Sequence, residues 1–104
     1  ELLDLIAARS LAMLETSNSQ ELANVLWAFA TAGRADHGLF DPVGQRLVRV
    51  MEDIDAREKA GTLDARFKPK PQEYSNGIWA FATAGVRGKG QRALIQHLAR
   101  RLDD

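Results

Sequence analysis

Gln20-Glu21-Leu22-Ala23-Asn24-Val25-Leu26-Trp27-Ala28-Phe29-Ala30-Thr31-Ala32-Gly33 decides the reading of this chain, because it returns nearly unchanged as Gln72-Glu73-Tyr74-Ser75-Asn76-Gly77-Ile78-Trp79-Ala80-Phe81-Ala82-Thr83-Ala84-Gly85. The two stretches align without a gap at an offset of 52, and ten of their fourteen positions are identical. A Trp-Ala-Phe-Ala-Thr-Ala-Gly run shared within 104 residues is not an accident of composition, so both stretches are copies of one structural unit. Within the first copy, Leu22, Val25, Leu26, Phe29 and Ala30 recur at three- and four-residue steps. Ser19 or Pro71 opens each copy, an acidic residue stands in the first turn, and Gly33 or Gly85 sits where a left-handed cap ends a helix. Each copy is therefore predicted to be a helix, here called A. Leu22, Leu26, Trp27 and Phe29, with Ile78, Trp79 and Phe81 in the second copy, are its expected core residues, and its many alanines suit close helix contacts.

Working outward, a second helix, B, is written between the copies. Asp41 reads as its N-cap and Pro42 as its first helical residue, with Val43, Leu47, Val50, Met51 and Ile54 on one face. The opening segment overlays it at an offset of 37, Leu3 to Arg9 on Phe40 to Arg46 and Met13-Leu14 on Val50-Met51. A third version runs from Gln91 to Leu102 through Leu94, Ile95 and Leu98. The predicted helices cover 2–15, 19–32, 39–57, 71–84 and 90–102, with no β-sheet.

The expected fold is all-α, an α-solenoid of stacked antiparallel helix pairs comprising about two and a half repeats. Residues 1–17 form the last helix of a preceding repeat, 18–57 a repeat, 58–70 an insertion and 71–104 another repeat. A lone pair cannot bury its apolar face, so the chain reads as a segment of a longer solenoid, with neighbouring repeats as its first partners. The insertion follows from the spacing, since the A-to-A offset exceeds the B-to-B offset by 15 residues. It contains Gly61 as a helix stop and ends in Arg66-Phe67-Lys68-Pro69-Lys70-Pro71, either an extended basic strap or a solvated connection.

With 45% apolar and 27% charged residues the chain has the composition of a folded domain rather than a disordered one. It lacks cysteine, which removes disulfides and thiolate metal sites and fits a reducing intracellular or organellar compartment at least as well as secretion. No apolar run approaches the roughly 18 residues of a membrane span. Net charge is zero but segregated: residues 1–65 carry six basic and eleven acidic side chains, whereas 66–101 carry eight basic against one acidic. Those charges either cover solvated faces or give the C-terminal half a basic surface for a polyanion.

The Gln-Glu-Leu-Ala-Asn-x-Leu-Trp-Ala-Phe-Ala-Thr-Ala-Gly module resembles the octotricopeptide repeat, a unit of paired antiparallel helices, and the related repeats found with RAP domains. The resemblance covers nearly the whole chain and is most specific in Leu26-Trp27-Ala28-Phe29-Ala30 and Ile78-Trp79-Ala80-Phe81-Ala82. The 37-residue B spacing agrees with it and the 52-residue A spacing departs from it. It implies a chloroplast or mitochondrial protein acting on RNA maturation, stability, translation or ribosome assembly. Its partner would then be single-stranded organellar mRNA or rRNA; the rival is a protein scaffold or structural subunit of a large organellar or ribonucleoprotein assembly.

No nucleophile, base and oxyanion site come together in the sequence, His37 lies in the turn after an A helix, and His97 sits alone with no carboxylate at ligand spacing, so no enzyme, metal site or cofactor is expected. Glu52, Asp53, Asp55 and Glu58 point several ways around a helix and read as a solvated surface. The informative stripe is Gln20, Asn24, Trp27 and Thr31, repeated as Gln72, Asn76, Trp79 and Thr83 on one helical face. Asn24 and Asn76 are candidate RNA contacts or stacking residues, and Ser75, which replaces Ala23, is a candidate for sequence readout. Differences in the turn, Arg34-Ala35-Asp36-His37 against Val86-Arg87-Gly88-Lys89, are further candidates. Both tryptophans are able to stack on bases, yet their flanking core residues assign them to packing between helices. Arg66, Lys68, Lys70, Arg87, Lys89 and Arg92 are the expected phosphate contacts.

Overall fold

The computed structural model describes residues 2–63 and 71–103. They form α1 (Leu2–Ala12), a 3₁₀ turn (Leu14–Thr16), α2 (Ser19–Thr31), α3 (His37–Ala60), α4 (Pro71–Ala84) and α5 (Lys89–Asp103), and among the described residues there is no strand. Helices α2 and α4 are the A helices; α1, α3 and α5 are the B helices.

The helix starts differ from expectation by one residue or one turn. Asn18 rather than Ser19 caps α2: its side chain accepts from the Glu21 amide at 2.8 Å while Glu21 Oε1 accepts from the Asn18 amide at 3.0 Å, a reciprocal capping box. Helix α3 starts at His37, not near Asp41, because Asp36 offers the Leu39 amide an acceptor at 3.2 Å one turn earlier. The earlier start places Leu39 and Phe40, both fully buried, on the helix, and leaves Pro42 inside it without the amide that would bond the Gly38 carbonyl. At its other end α3 runs to Ala60, so the expected insertion boundary at 57 falls inside a helix.

All three glycine stops are real. Gly33, Gly61 and Gly85 have φ of 74°, 74° and 69°. After α2, the Gly33 amide donates to the Ala30 carbonyl and the Arg34 amide to the Phe29 carbonyl; after α4, Gly85 donates to Ala82 and Val86 to Phe81. Both ends are Schellman caps, as the repeated Ala-Gly predicts.

Helix α2 packs chiefly along α4, and α3 along α5, with α2 also against α3. Like therefore lies on like, in a row of A helices and a row of B helices. Tryptophans at equivalent positions of α2 and α4 touch, which puts those helices in register. Between the rows lies one core containing Leu22, Leu26, Phe29, Leu39, Phe40, Val43, Leu47, Met51, Phe81 and Leu94. Phe40 and Phe81 meet edge to face at 5.3 Å.

Two glycines set the close approach of α3 and α5. A Cβ on Gly44 would stand 2.7 Å from the Phe81 ring and 3.1 Å from Gly90 Cα, and one on Gly90 would stand 2.9 to 3.0 Å from backbone atoms of Phe40 and Asp41. Asp41, expected to cap its own helix, instead accepts from the Gly90 amide at 3.2 Å and so caps α5.

Candidate nucleic-acid interface

The row of A helices carries the face that the repeat singled out. Gln20, Asn24, Trp27 and Thr31 are exposed on α2, and on α4 Trp79 and Thr83 are exposed while Asn76 is half-buried. Gln72 lies outside the residues whose side chains are described.

The tryptophans overturn their assignment to the core. Each is 45% exposed, whereas Leu22, Leu26, Phe29 and Phe81 are buried and Ile78 is partly buried against them. Helical phase explains the difference. Trp27 follows Leu26 by one residue, about 100° around the helix, which carries it out of the arc that Leu22, Leu26 and Phe29 point into the core and onto the arc of Asn24 and Thr31. The indoles lie side by side instead, with ring centroids 6.4 Å apart and planes inclined by 31°. Their steps of three and four to Asn24 and Thr31 were the available signal; the flanking apolar residues outweighed it.

Small residues let the A helices come together. Ala23 and Ala30 of α2 are buried, as is Ala80 of α4. Their repeat equivalents, Ser75, Ala82 and Ala28, are all exposed. Each A helix thus has two flanks: α2 packs the flank of Ala23 and Ala30 against α4, and α4 packs the flank of Ala80 against α2. Ser75 is therefore exposed on the outer flank of α4, one turn before Trp79. The place of Ala23 is a packing position.

Most of the turn differences are also structural. Arg34 ion-pairs with Asp4 at 2.7 Å and stands over the Phe29 ring at 6.0 Å. Its equivalent, Val86, is fully buried, and Asp36 caps α3. Val25 is half-buried, and Gly77 leaves room for the Leu47 and Leu94 side chains. What remains accessible is His37, Arg87, Lys89 and Arg92, the last three gathered at the α4–α5 turn and the start of α5. Arg66, Lys68 and Lys70 lie outside the described residues.

His97 does have a carboxylate that sequence spacing concealed. It is 3% exposed on α5, and its Nε2 lies 3.5 Å from Asp55 Oδ2 on α3. Two others of that acidic group pair with separate cations, Asp53 with Arg57 at 3.1 Å and Glu52 with Arg100 at 3.9 Å. Among the described residues no three His, Asp or Glu side chains gather as metal ligands, and no helix is long and apolar enough to cross a membrane.

Compared with family models, curated proteins and solved structures, the chain matches none.

Proposed function

We propose that this chain is a helical-repeat module that binds single-stranded RNA along its row of A helices, its pairs forming part of an α-solenoid. The observation that carries the reading is the Trp27–Trp79 pair: two half-exposed indoles, one per repeat, in contact on an otherwise polar face. Keeping two such rings half in water forgoes burial worth kilocalories, and a face that stacks bases is one use for them, at about 1–3 kcal/mol per base. Asn24 and Asn76 supply hydrogen-bonding amides beside them, and Arg87, Lys89 and Arg92 supply positive charge for phosphates at one end of the row. The reading requires no catalysis and no cofactor. The organellar setting, chloroplast or mitochondrion, and a role in RNA maturation, stability, translation or ribosome assembly come from the octotricopeptide resemblance.

The experiment is a titration of mixed-sequence single-stranded RNA at several salt concentrations. With Arg87, Lys89 and Arg92 all replaced by glutamine, the slope of log K against log salt should fall by about 2, at roughly 0.7 per phosphate contact on a single strand, with helicity unchanged. No RNA binding at low salt replaces this reading with the protein-scaffold one.

A further inference from the structure

Independently of any RNA, we infer that the groove between α1 and α2 is the seat of one further A-type helix. The groove encloses about 370 Å³ and is lined by Leu5 and Ile6 of α1, Met13 just after it, and Leu22 and Val25 of α2. Three of these, Leu5, Ile6 and Met13, are large apolar side chains left exposed, Leu5 by 67%. A soluble surface does not ordinarily gather apolar side chains in one contiguous patch without a partner.

The repeat identifies the partner. Helix α1 matches α3 at an offset of 37, so Ile6, Ser10 and Met13 correspond to Val43, Leu47 and Val50. On α3 that face is buried or half-buried, and α3 packs against α2, its own A helix. The equivalent A helix for α1 would lie in the groove. Helix α2 offers the second wall. Glu21, Val25 and Ala28 on its open flank are equivalent to Glu73, Gly77 and Ala80 of α4, and Ala80 is buried where α4 meets α2. The row of A helices thus repeats one contact, the Ala80-type flank of one helix on the Ala23 and Ala30 flank of the helix before it. Both walls call for the same occupant, an amphipathic helix with small residues at the places of Ala23 and Ala30. A second copy of the chain fits poorly: entering by its α4, it would bring α5 onto the place that α1 already holds.

A peptide with the sequence of Asn18 to Arg34, labelled at its N-terminus, is the probe. Alone it is near the length at which isolated helices are marginal in water, so helicity gained on mixing reports docking. Saturable binding to the chain with a gain in helicity is expected. Ile6→Glu in the chain should weaken it at least tenfold, and an Ala23→Arg, Ala30→Arg peptide should fail against the unaltered chain. Ser75→Arg in the chain should leave it unchanged, since Ser75 is exposed on the outer flank of α4, away from the groove. The inference is overturned if a scrambled peptide binds equally, if no peptide binds, or if sedimentation shows that the chain self-associates through this groove and Ile6→Glu abolishes that instead.

Discussion

Asp4 and Asp41 hold equivalent places on successive B helices, Asp4 reaching the turn after α2 and Asp41 the first turn of α5, yet they make different junctions. Asp41 accepts from the Gly90 amide, and α3 and α5 lie so close there that a Cβ on Gly90 would strike backbone. Asp4 pairs with the Arg34 side chain, and its own side chain is 64% exposed. A Cβ on Gly38, the counterpart of Gly90 in the first turn of α3, would have nothing from α1 within 4 Å. One sequence device therefore serves a tight junction and a loose one. The comparison teaches that in a stack the same residue is structural or solvated according to how closely its neighbours approach, so that burial is a property of the row and not of the single repeat.

The sharpest way to break this contrast is to add one methyl group at each junction. Gly90→Ala should destabilise the chain by about 1–3 kcal/mol, because backbone must shift to admit it, read as a drop in melting temperature of several degrees. Gly38→Ala meets only the Asp36 carboxylate, at 3.3 Å, and should be neutral or stabilising by up to about 1 kcal/mol through helix propensity. Equal losses at both sites would show that α1 sits on α3 as tightly as α3 on α5. A smaller effect is expected from the aspartates. Asp41→Ala removes a cap and should cost about 1 kcal/mol, whereas Asp4→Ala removes an exposed ion pair and should cost no more than a few tenths to 1 kcal/mol. Urea unfolding of the two variants measures the difference, and a larger loss for Asp4→Ala would reverse the assignment of tight and loose.

Much of this architecture was legible because a repeat states its own periodicity. The five helices, the glycine caps and the buried Phe29 and Phe81 follow from alignment of two copies and three-and-four spacing. Less legible was anything decided between helices. Asp41 looks like a cap for the proline after it, and only the approach of Gly90 shows which helix it caps. Ala23 and Ser75 hold equivalent places, and only the packing shows that one is covered and the other open. His97 and Asp55 are far apart in sequence and meet only because α3 and α5 pack along each other. The tryptophans failed for another reason: their flanking core residues argued for burial, and the phase of the helix, one residue past Leu26, decided against it.

Those two tryptophans are the only ones in the chain, so intrinsic fluorescence reports on the proposed RNA face and on nothing else. The decisive measurement is a titration of mixed-sequence single-stranded RNA into the unaltered chain at low salt, following tryptophan emission alongside the anisotropy of a label on the RNA. Stacking of bases on Trp27 and Trp79 predicts saturable quenching that tracks the anisotropy point for point. RNA that binds by anisotropy while the emission stays constant would contradict the account, because the strand would then lie somewhere other than the row of A helices.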